Sequence, residues 1–302
     1  MTKVIHFTKM HGAGNDYIYV DTTRTTIDRP DEAARNWSDR HKGIGADGLV
    51  LIGQPADTRK ADFSMRIFNA DGSEALMCGN AACCIGKFVY EKGMTKQTLV
   101  RLETRSGIRT LELHTDGSGC VESVTVDMGE PSFADPKLYC PTAEASLLQP
   151  SEAPSPKNNA EPVSSHITNG TFVCMGNPHF VIFCDDITTS DVAHWGSILE
   201  RDKAFPHRCN IEFARLTGTD EIRVRVWERG SGITLACGTG ACATAVAACR
   251  TRRTGRNVRV VMDGGTLQVE WNATDNHVYL TGLTAVAFEG RMSSELCQRQ
   301  RQ

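Results

Sequence analysis

The sequence predicts an α+β fold of two pseudo-symmetric lobes, each a curled, mostly antiparallel sheet around a central helix. The first observation behind this prediction is a duplicated segment, in which a strand and a turn lead into a helix that begins at a cysteine, Cys78 or Cys237. Arg66 precedes Cys78 by the same interval at which Arg225 precedes Cys237, and each cysteine is followed by a glycine and a small polar residue. We interpret the duplication as one structural unit used twice.

A second duplication lies upstream of both cysteines. Asn15 stands just before a predicted strand at residues 17–20, and Asn177 stands just before one at residues 180–183. Both strands contain aromatic residues, and both precede their cysteines by similar intervals. The likeness of the two halves therefore extends well beyond the cysteine segments.

The third observation concerns the helices that the cysteines begin. The helix from Cys78 is predicted to continue to about Lys92, with Gly93 as the left-handed residue after its end. Residues 81–86 carry almost no polar side chains, which is typical of a helix enclosed by a sheet. The equivalent helix of the second half is predicted to end near Arg250, where positive charge suits the helix dipole.

The other elements are short. Turns rich in Gly, Ser and Asp separate runs of alternating or β-branched residues, which predicts strands joined by tight connections. Two further helices are predicted at residues 31–40, where Pro30 stands near the start, and at residues 190–202. The remaining predicted strands are at residues 4–8, 49–52, 64–69, 98–103, 108–114, 120–127, 208–213, 222–227, 258–262, 266–271, 277–281 and 285–288.

The duplication also predicts the domain boundaries. We expect an N-terminal lobe at residues 1–128 and a C-terminal lobe at residues 129–276, each with one of the two cysteines. A strand at residues 277–290 is expected to return to the first lobe and complete its sheet. Residues 141–165 are rich in Pro, Ser, Ala and Glu, and we expect them to form an exposed insertion in the second lobe.

Length and composition are those of a globular protein with about two domains. The chain has 302 residues, of which 40% are hydrophobic and 23% charged, so it can bury substantial cores. Its net charge of −3 gives no reason to expect binding to nucleic acid or to a membrane surface. No apolar run approaches the roughly 18 residues of a spanning helix, and the N-terminus lacks a secretory signal, so we expect a cytoplasmic protein.

The twelve cysteines do not indicate disulfides or a zinc site. A chain of this length needs no disulfide for stability, and the expected compartment is reducing. The sequence contains no C-x-x-C pair, which is the spacing that structural zinc sites commonly use. We therefore expect no metal, and we interpret most of the thiols as core or surface residues.

A cysteine at a helix N-terminus suits acid–base chemistry. The first N–H groups of a helix have no partner within it, and together with the helix dipole they favour a thiolate and bind carboxylates. If Cys78 and Cys237 face one carbon from opposite sides, one removes a proton while the other delivers one, which inverts a stereocentre without a cofactor. We therefore predict an active site in the cleft between the lobes. The alternative is two buried structural cysteines, which the duplication disfavours.

Five motifs carry a resemblance to a known family. They are Cys78-Gly79-Asn80, Ala236-Cys237-Gly238-Thr239-Gly240, residues 10–16, Met175-Gly176-Asn177-Pro178-His179 and Trp227-Glu228-Arg229-Gly230. On these residues the chain resembles the diaminopimelate epimerases of the cofactor-independent racemase family, over nearly its whole length outside residues 137–166 and the C-terminal tail. The resemblance implies a homodimeric isomerase without pyridoxal phosphate or metal. Its substrate would be diaminopimelate, with LL- and meso-2,6-diaminoheptanedioate interconverted for lysine and peptidoglycan precursor biosynthesis.

The resemblance also implies roles for individual residues. Cys78 and Cys237 would be the acid–base pair on opposite faces of the reacting α-carbon. The carboxylate beside that carbon would be held at the two helix N-termini by Gly79, Asn80, Gly238 and Thr239. The pocket would be lined, partly around the distal amino-acid end, by Asn15, Asn69, Asn177, Asn210 and Arg229. Glu228 would accept hydrogen bonds from a substrate ammonium, and His179 and Glu228 would tune the thiols.

Two positions depart from the family pattern. Cys83 stands where members usually carry an arginine, which puts lobe packing or dimer contacts in doubt. Gly48 stands where many members carry a pocket glutamine, which puts one substrate contact in doubt.

Two alternative functions stay open at this point. One is a racemase of a different amino acid, such as histidine, on the same scaffold. Asn69, Asn210 and Arg229 argue against it, because amide and guanidinium groups suit a distal carboxylate. The other is a non-catalytic protein that senses redox state or binds a metal through its thiols, which the lack of paired cysteine spacing disfavours.

Overall fold

The computed structural model describes residues 4–140 and 170–293. The chain divides into a first unit, Met1–Asp127 with Thr281–Gln302, and a second unit, Met128–Leu280. The predicted insertion at residues 141–165 lies outside the described residues.

The two units repeat one order of elements. In the first unit the order is β1 (Val4–Gly12), β2 (Asn15–Asp21), α1 (Pro30–Ser38), β3 (Gly48–Gly53), β4 (Phe63–Asn69), β5 (Glu74–Ala75), α2 (Gly79–Glu91), β6 (Leu99–Thr104), β7 (Gly107–Thr115) and β8 (Val121–Asp127). In the second it is β9 (Thr171–Cys174), β10 (Pro178–Phe183), α3 (Thr189–Leu199), β11 (Asn210–Leu216), β12 (Glu221–Glu228), β13 (Gly232–Thr234), α4 (Gly238–Arg250), β14 (Asn257–Met262), β15 (Gly265–Trp271) and β16 (Val278–Ser293), whose end lies in the first unit. The predicted α+β class and the duplication are confirmed.

Each unit contains a mostly antiparallel sheet, and the pairing is equivalent in both. The order in the first unit is β1-β2-β3-β4-β6-β7-β8-β16, with β5 on β4, and β16 also pairs with β1, so the sheet closes on itself. The order in the second unit is β9-β10-β11-β12-β14-β15, with β13 on β12. Parallel pairs occupy matching places, β2–β3 and β4–β6 in one unit and β10–β11 and β12–β14 in the other.

The helix that follows each cysteine is the central helix of its unit. In the first unit α2 packs against β1, β7 and β8, and residues 79–86 are all buried. A Cβ at Gly86 would lie 2.6 Å from Leu113 Cδ2, so glycine allows the close approach of α2 to β7. Cys83 is buried where α2 faces β8, and its thiol donates to Val124 O at 3.4 Å. In the second unit α4 packs against β9, β10 and β15 and buries residues 240–248.

Most helix ends agree with the prediction. Pro30 begins α1, and α2 ends at its C-cap Lys92, followed by Gly93 with φ +67°. The last part of the chain differs. Strands predicted at residues 277–281 and 285–288 are one strand, β16, and its second part, from Thr284 to Ser293, pairs with β1 with a register shift between Lys9 and Met10. The short strands β5, β9 and β13 are not predicted, since they contain only two to four residues.

Within the described residues, no helix combines the length and apolar character needed to cross a membrane.

Candidate functional site

Cys78 is the N-cap residue of α2. Its backbone is extended, with φ −139° and ψ 123°, and the Ala82 N–H donates to its carbonyl at 2.9 Å. The thiol therefore lies beside the first turn of the helix, where backbone N–H groups have no helical acceptor. The predicted location at a helix N-terminus is confirmed for this cysteine.

Asn15 contacts the Cys78 thiol directly. Cys78 Sγ donates to Asn15 Oδ1 at 3.4 Å, and Asn15 Nδ2 donates to Asp47 Oδ2 at 2.8 Å. Asn15 begins β2, and Asp47 immediately precedes β3, the parallel neighbour of β2. The contact with Asp47 fixes the amide so that its oxygen faces the sulfur.

Asp47, which the sequence analysis does not include, belongs to a charged cluster behind Asn15. Asp16 lies 2.6 Å from Lys9 Nζ and 2.7 Å from Arg40 Nη2, and Arg40 lies 3.0 Å from Asp47. Burial acts to raise the pKa of Asp16, but hydrogen bonds with Arg40 and Lys9 outweigh it and bring that pKa below its usual value. Burial, helped by the charge of Asp16, raises the pKa of Asp47.

Asn69 lies at the end of β4, opposite Gly48 of β3. Its Nδ2 donates to Ser73 Oγ at 3.0 Å, so the amide is engaged in the turn that leads to β5. A Cβ at Gly48 would lie 2.1 Å from Phe68 O, so a side chain at this position requires a backbone shift. Glycine at position 48, where many family members carry a glutamine, therefore fits the close approach of the Phe68 backbone in this chain.

Gly79 and Asn80 form the first turn of α2, and both are buried. Asn80 is 2% exposed, and among the described residues neither its Oδ1 nor its Nδ2 has a hydrogen-bond partner. A buried polar group without a partner is unfavourable by about 1–3 kcal/mol. The Asn80 amide is therefore available to a ligand at the N-terminus of α2.

Cys237 has the equivalent place in the second unit, as the N-cap of α4. Its φ of −134° and ψ of 112° are close to those of Cys78. Its Sγ accepts the Gly240 N–H at 3.4 Å and lies 3.5 Å from Thr239 Oγ1. Gly238 follows it in the first turn and is buried. The predicted location is confirmed for this cysteine as well.

The protonation of Cys237 differs from the expectation for a helix N-terminus. Burial raises the pKa of its thiol well above the usual range, and the carboxylates of Glu228 and Glu212 raise it further. Hydrogen bonds from Thr239 and from the Gly240 N–H lower the pKa, as a helix N-terminus should, but they do not offset burial. The helix N-terminus therefore acts against burial and two carboxylates at Cys237, and the net effect is a raised pKa of this thiol.

His179 lies on β10 with its side chain fully buried and both ring nitrogens in hydrogen bonds. Nδ1 is 2.6 Å from Glu212 Oε1, and Nε2 is 3.0 Å from Asn177 Oδ1. Asn177 Nδ2 donates to Thr239 Oγ1 at 3.3 Å, and Thr239 is the residue whose hydroxyl approaches Cys237. A chain of hydrogen-bond contacts thus runs from Glu212 to Cys237.

Glu212 is a candidate that the sequence analysis missed. It lies on β11 between the buried residues Ile211 and Phe213, and it is itself 0% exposed. A Cβ at Gly240 would lie 2.8 Å from Glu212 Oε1, so the carboxylate abuts the first turn of α4. The signal in the sequence was a charged residue inside an apolar strand, but the sequence does not show which residue pairs with it.

Asn210, Glu228 and Arg229 lie at the adjoining ends of β11 and β12. Asn210 Oδ1 accepts the Arg229 N–H at 2.8 Å, which joins the two strand ends. Glu228 Oε1 accepts the hydroxyl of Thr234 at 2.5 Å. The Arg229 side chain is exposed, and its Nη1 donates to His207 O at 2.9 Å.

The structure groups the predicted residues into two half-sites, one in each unit. The first half-site contains Cys78, Gly79, Asn80 and Asn15, with Asn69 at the end of β4. The second contains Cys237, Gly238, Thr239, Asn177, His179, Asn210, Glu228 and Arg229. Across residues 4–140 and 170–293, no group of three or more His, Cys, Asp or Glu side chains is arranged to hold a metal ion. That both half-sites act on one substrate stays a prediction.

Comparison with known sequences gives the same family as the motifs. The family profile described as diaminopimelate epimerase matches residues 7–134 and 171–286. A diaminopimelate epimerase of Phocaeicola vulgatus is 53% identical over 292 residues, covering 97% of this chain and 99% of the relative. One of Methanococcus maripaludis is 44% identical over 292 residues, covering 95% of this chain and 99% of the relative.

Comparison with solved structures shows the same fold in more distant proteins. A hydroxyproline epimerase from Agrobacterium vitis superposes with a TM-score of 0.68 at 16% identity, covering 96% of this chain and 93% of that one. A PhzF-family phenazine biosynthesis protein of Bacillus anthracis superposes with a TM-score of 0.65 at 15% identity, covering 96% and 99%.

Proposed function

The chain belongs to the diaminopimelate epimerase family, and we propose that it is an isomerase that interconverts LL- and meso-2,6-diaminoheptanedioate. The observation that carries the proposal is the pair of cysteines at equivalent helix N-termini of two repeated units. Relatives named diaminopimelate epimerase that are 44–53% identical over nearly the whole chain support this substrate. The reaction serves lysine biosynthesis and the supply of peptidoglycan precursors.

We assign the proton transfer to Cys78 and Cys237. One sulfur, as a thiolate, removes the α-proton while the other, as a thiol, delivers a proton to the opposite face of the same carbon. The configuration inverts without a covalent bond to either cysteine, and the two sulfurs exchange protonation states. Burial and the carboxylates of Glu228 and Glu212 raise the pKa of Cys237, which favours its thiol form, so we assign Cys237 as the proton donor in one direction of the reaction.

The carboxylate beside the reacting carbon is assigned to the two helix N-termini. The first N–H groups of α2 and α4 have no acceptor within their helices and carry the positive end of the dipole. Neither helix has an acidic residue in its first turn, and at α4 one of these groups, the Gly240 N–H, already donates to Cys237 Sγ. The amide of Asn80 adds a side-chain donor at α2, and Thr239 contributes its backbone N–H at α4.

The distal amino-acid end is assigned to polar groups at strand ends. Arg229 offers an exposed guanidinium for the second carboxylate, and Glu228 offers a carboxylate for the second ammonium. The amides of Asn15, Asn69 and Asn210 provide donors and acceptors beside them. A substrate with only one amino-acid end leaves these groups unused, which is why the proposal favours diaminopimelate over histidine or another single-centre amino acid.

Two features of the proposal concern the cell rather than the site. We place the enzyme in the cytoplasm, where biosynthetic precursors are made and thiols stay reduced. We also propose a homodimer, which the resemblance to the family implies.

The deciding experiment is α-proton exchange followed by NMR. The reduced protein is incubated in deuterated buffer with LL-diaminopimelate and, in parallel, with single-centre amino acids that include histidine and proline. We expect deuterium at one centre of diaminopimelate, and loss of that exchange in Cys78→Ala and in Cys237→Ala. Cys120→Ala is the matched control, because Cys120 is exposed and lies outside both half-sites.

The outcomes separate the alternatives. Exchange with another amino acid but not with diaminopimelate would keep the two-cysteine chemistry and reject the substrate. Exchange with no amino acid would reject the enzyme and favour a thiol protein that senses redox state or binds a metal. Exchange that survives in either cysteine variant would reject the assigned acid–base pair.

A further inference from the structure

The buried pair of Glu212 and His179 lies directly behind Cys237. Both side chains are 0% exposed, and the two atoms that join them, Glu212 Oε1 and His179 Nδ1, are 2.6 Å apart. Such a pair is retained in an apolar interior only when its partners compensate the loss of hydration. Here the compensation is incomplete, because Glu212 Oε2 has no hydrogen-bond partner among the described residues.

The Glu212 carboxylate lies beside a residue that hydrogen-bonds to the Cys237 sulfur. Glu212 Oε1 abuts Gly240, which is the residue whose N–H donates to Cys237 Sγ. The carboxylate thus lies at the positive end of α4, which is also where a Cys237 thiolate would develop. Two negative charges at one helix N-terminus repel each other, and the repulsion is strong in a buried site.

His179 opposes this effect. Its Nδ1 faces Glu212, and its Nε2 leads through Asn177 and Thr239 to the same sulfur. Asn177 Nδ2 donates to Thr239 Oγ1, so Asn177 Oδ1 faces His179 Nε2 and accepts a hydrogen bond from it. Because Thr239 Oγ1 accepts from Asn177, its own proton is directed to Cys237 Sγ. The imidazole contacts the carboxylate oxygen that abuts α4, at 2.6 Å, and so partly screens its charge from Cys237.

We propose that Glu212 is a positioning residue for the proposed reaction, which holds Cys237 in its thiol form, and that His179 limits this effect by pairing with the carboxylate. The inference rests on the proposed function for its catalytic meaning, but the effect on the thiol is a property of the protein alone. Within the second unit, Cys237 is faced by Glu228 from β12, Glu212 from β11 and, through Asn177 and Thr239, His179 from β10. After burial, the charges of Glu228 and Glu212 are the groups that raise the pKa of Cys237.

The test measures the reactivity of each cysteine separately. Protein without substrate is treated briefly with iodoacetamide between pH 6 and 9, and mass spectrometry gives the alkylation rate of the peptides with Cys237 and Cys78. Because the thiolate is the reactive form, the rate follows the thiolate fraction. Glu212→Gln keeps the shape of the side chain and removes its charge, so we expect alkylation of Cys237 at pH 7 to rise about fivefold.

His179→Gln is expected to act in the opposite direction. It leaves the Glu212 carboxylate without the imidazole, so alkylation of Cys237 at pH 7 should fall about fivefold. The alkylation rate of Cys78 is recorded in the same digests. Glu270→Gln, an exposed carboxylate on β15, is the matched control and should change neither rate.

Opposite signs for the two variants at Cys237 support the inference. Equal signs or no change at Cys237 would overturn it, because a role in packing alone has no reason to reverse between the two variants. If Glu212→Gln does not fold, the alkylation rate of Cys237 in His179→Gln decides. A rate below that of wild type supports the inference, and a faster or unchanged rate rejects it.

Turnover provides the second readout. The pH optimum of kcat/KM for epimerisation should move down by about one unit in Glu212→Gln, since Cys237 then ionises more readily. An unchanged optimum in an active variant would overturn the inference. If wild-type protein shows no epimerisation, the proposed function fails, while the alkylation rates still decide the relation of Glu212 to Cys237.

Discussion

The thiol of Cys78 donates to the side-chain oxygen of Asn15 at 3.4 Å, and Asp47 holds the Asn15 amide nitrogen at 2.8 Å. The second unit contains an equivalent relationship, because Asn177 stands in the matching place and reaches Cys237 through Thr239. In both units an asparagine at the start of the second strand or just before it therefore orients groups around the cysteine of that unit. The contact is direct in the first unit and passes through Thr239 in the second.

Asn15→Ala tests the contact in the first unit. It removes a hydrogen bond to the proposed catalytic sulfur and leaves Asp47 without the amide, so we expect kcat/KM for epimerisation to fall about tenfold to hundredfold. Asn257→Ala is the matched control, because Asn257 is exposed and lies outside both half-sites. A variant with wild-type kcat/KM would show that Asn15 has no role in the reaction.

Gly240→Ala tests the crowding at the N-terminus of α4. Alanine favours a helix over glycine by about 1 kcal/mol, so stability should rise if the site had room. The added Cβ would lie 2.8 Å from Glu212 Oε1 and 3.4 Å from Cys237 Sγ, and we expect both groups to be displaced and kcat/KM to fall at least about tenfold.

The control for this variant is Gly218→Ala, where the nearest atom to an added Cβ is Glu221 Cβ at 3.6 Å. Epimerase kinetics and urea unfolding of both variants make the comparison. Full activity in Gly240→Ala would contradict the close packing of Glu212 against α4.

Glu200 supports the turn that carries Glu228 and Arg229. Its carboxylate is 3% exposed and accepts Trp227 Nε1 at 2.8 Å and the Gly230 N–H at 3.1 Å. Glu200→Leu leaves both donors without this acceptor, so we expect the free energy of unfolding to fall by about 2–4 kcal/mol.

The same variant should also raise the KM for diaminopimelate, because the turn that carries the proposed distal contacts loses its support. Glu200→Gln retains one acceptor and should show a smaller effect on both the free energy of unfolding and the KM. The measurements are urea unfolding and steady-state kinetics, and equal stability of Glu200→Leu and wild type would contradict the assigned role.

Buried thiols make stability depend on pH in the alkaline range. Burial raises the pKa of Cys84 to about 12 and of Cys184 to about 11, and it raises the pKa of Cys209, Cys237 and Cys242 as well. The folded state therefore keeps protons that the unfolded state releases above about pH 8.5. Below that pH the contribution of the buried thiols to stability is fully present. Above it, the free energy of unfolding falls as pH rises from the pKa of the thiol in the unfolded chain toward its higher pKa in the folded protein.

Each such thiol contributes a slope of up to about 1.4 kcal/mol per pH unit. Urea unfolding at pH 8 and pH 10 measures the fall in the free energy of unfolding. Cys84→Ala should lose less stability between these pH values than wild type, although it is less stable at both. The exposed Cys120→Ala should follow wild type, and identical slopes in Cys84→Ala and wild type would contradict the prediction.

Much of the fold follows from local patterns. Helices that begin at Cys78 and Cys237, the glycine after α2, and most strand positions were predictable because caps, turns and alternation are short-range properties. The continuous strand β16 was not, because its pairing with β1 joins residues about 280 positions apart in sequence. The strands of two to four residues were also missed, since a run that short has no detectable period.

What the sequence by itself determined is the repeated unit and the two cysteines at its helix N-termini, because both are visible as spacing along the chain. Only the tertiary structure decided how those cysteines are surrounded. Asp47 reaches Asn15 and Glu212 reaches His179 across more than thirty residues, and neither contact has a local signature. The direction of the pKa of Cys237 was also decided there, because burial and two carboxylates raise it against the helix terminus that the sequence reveals.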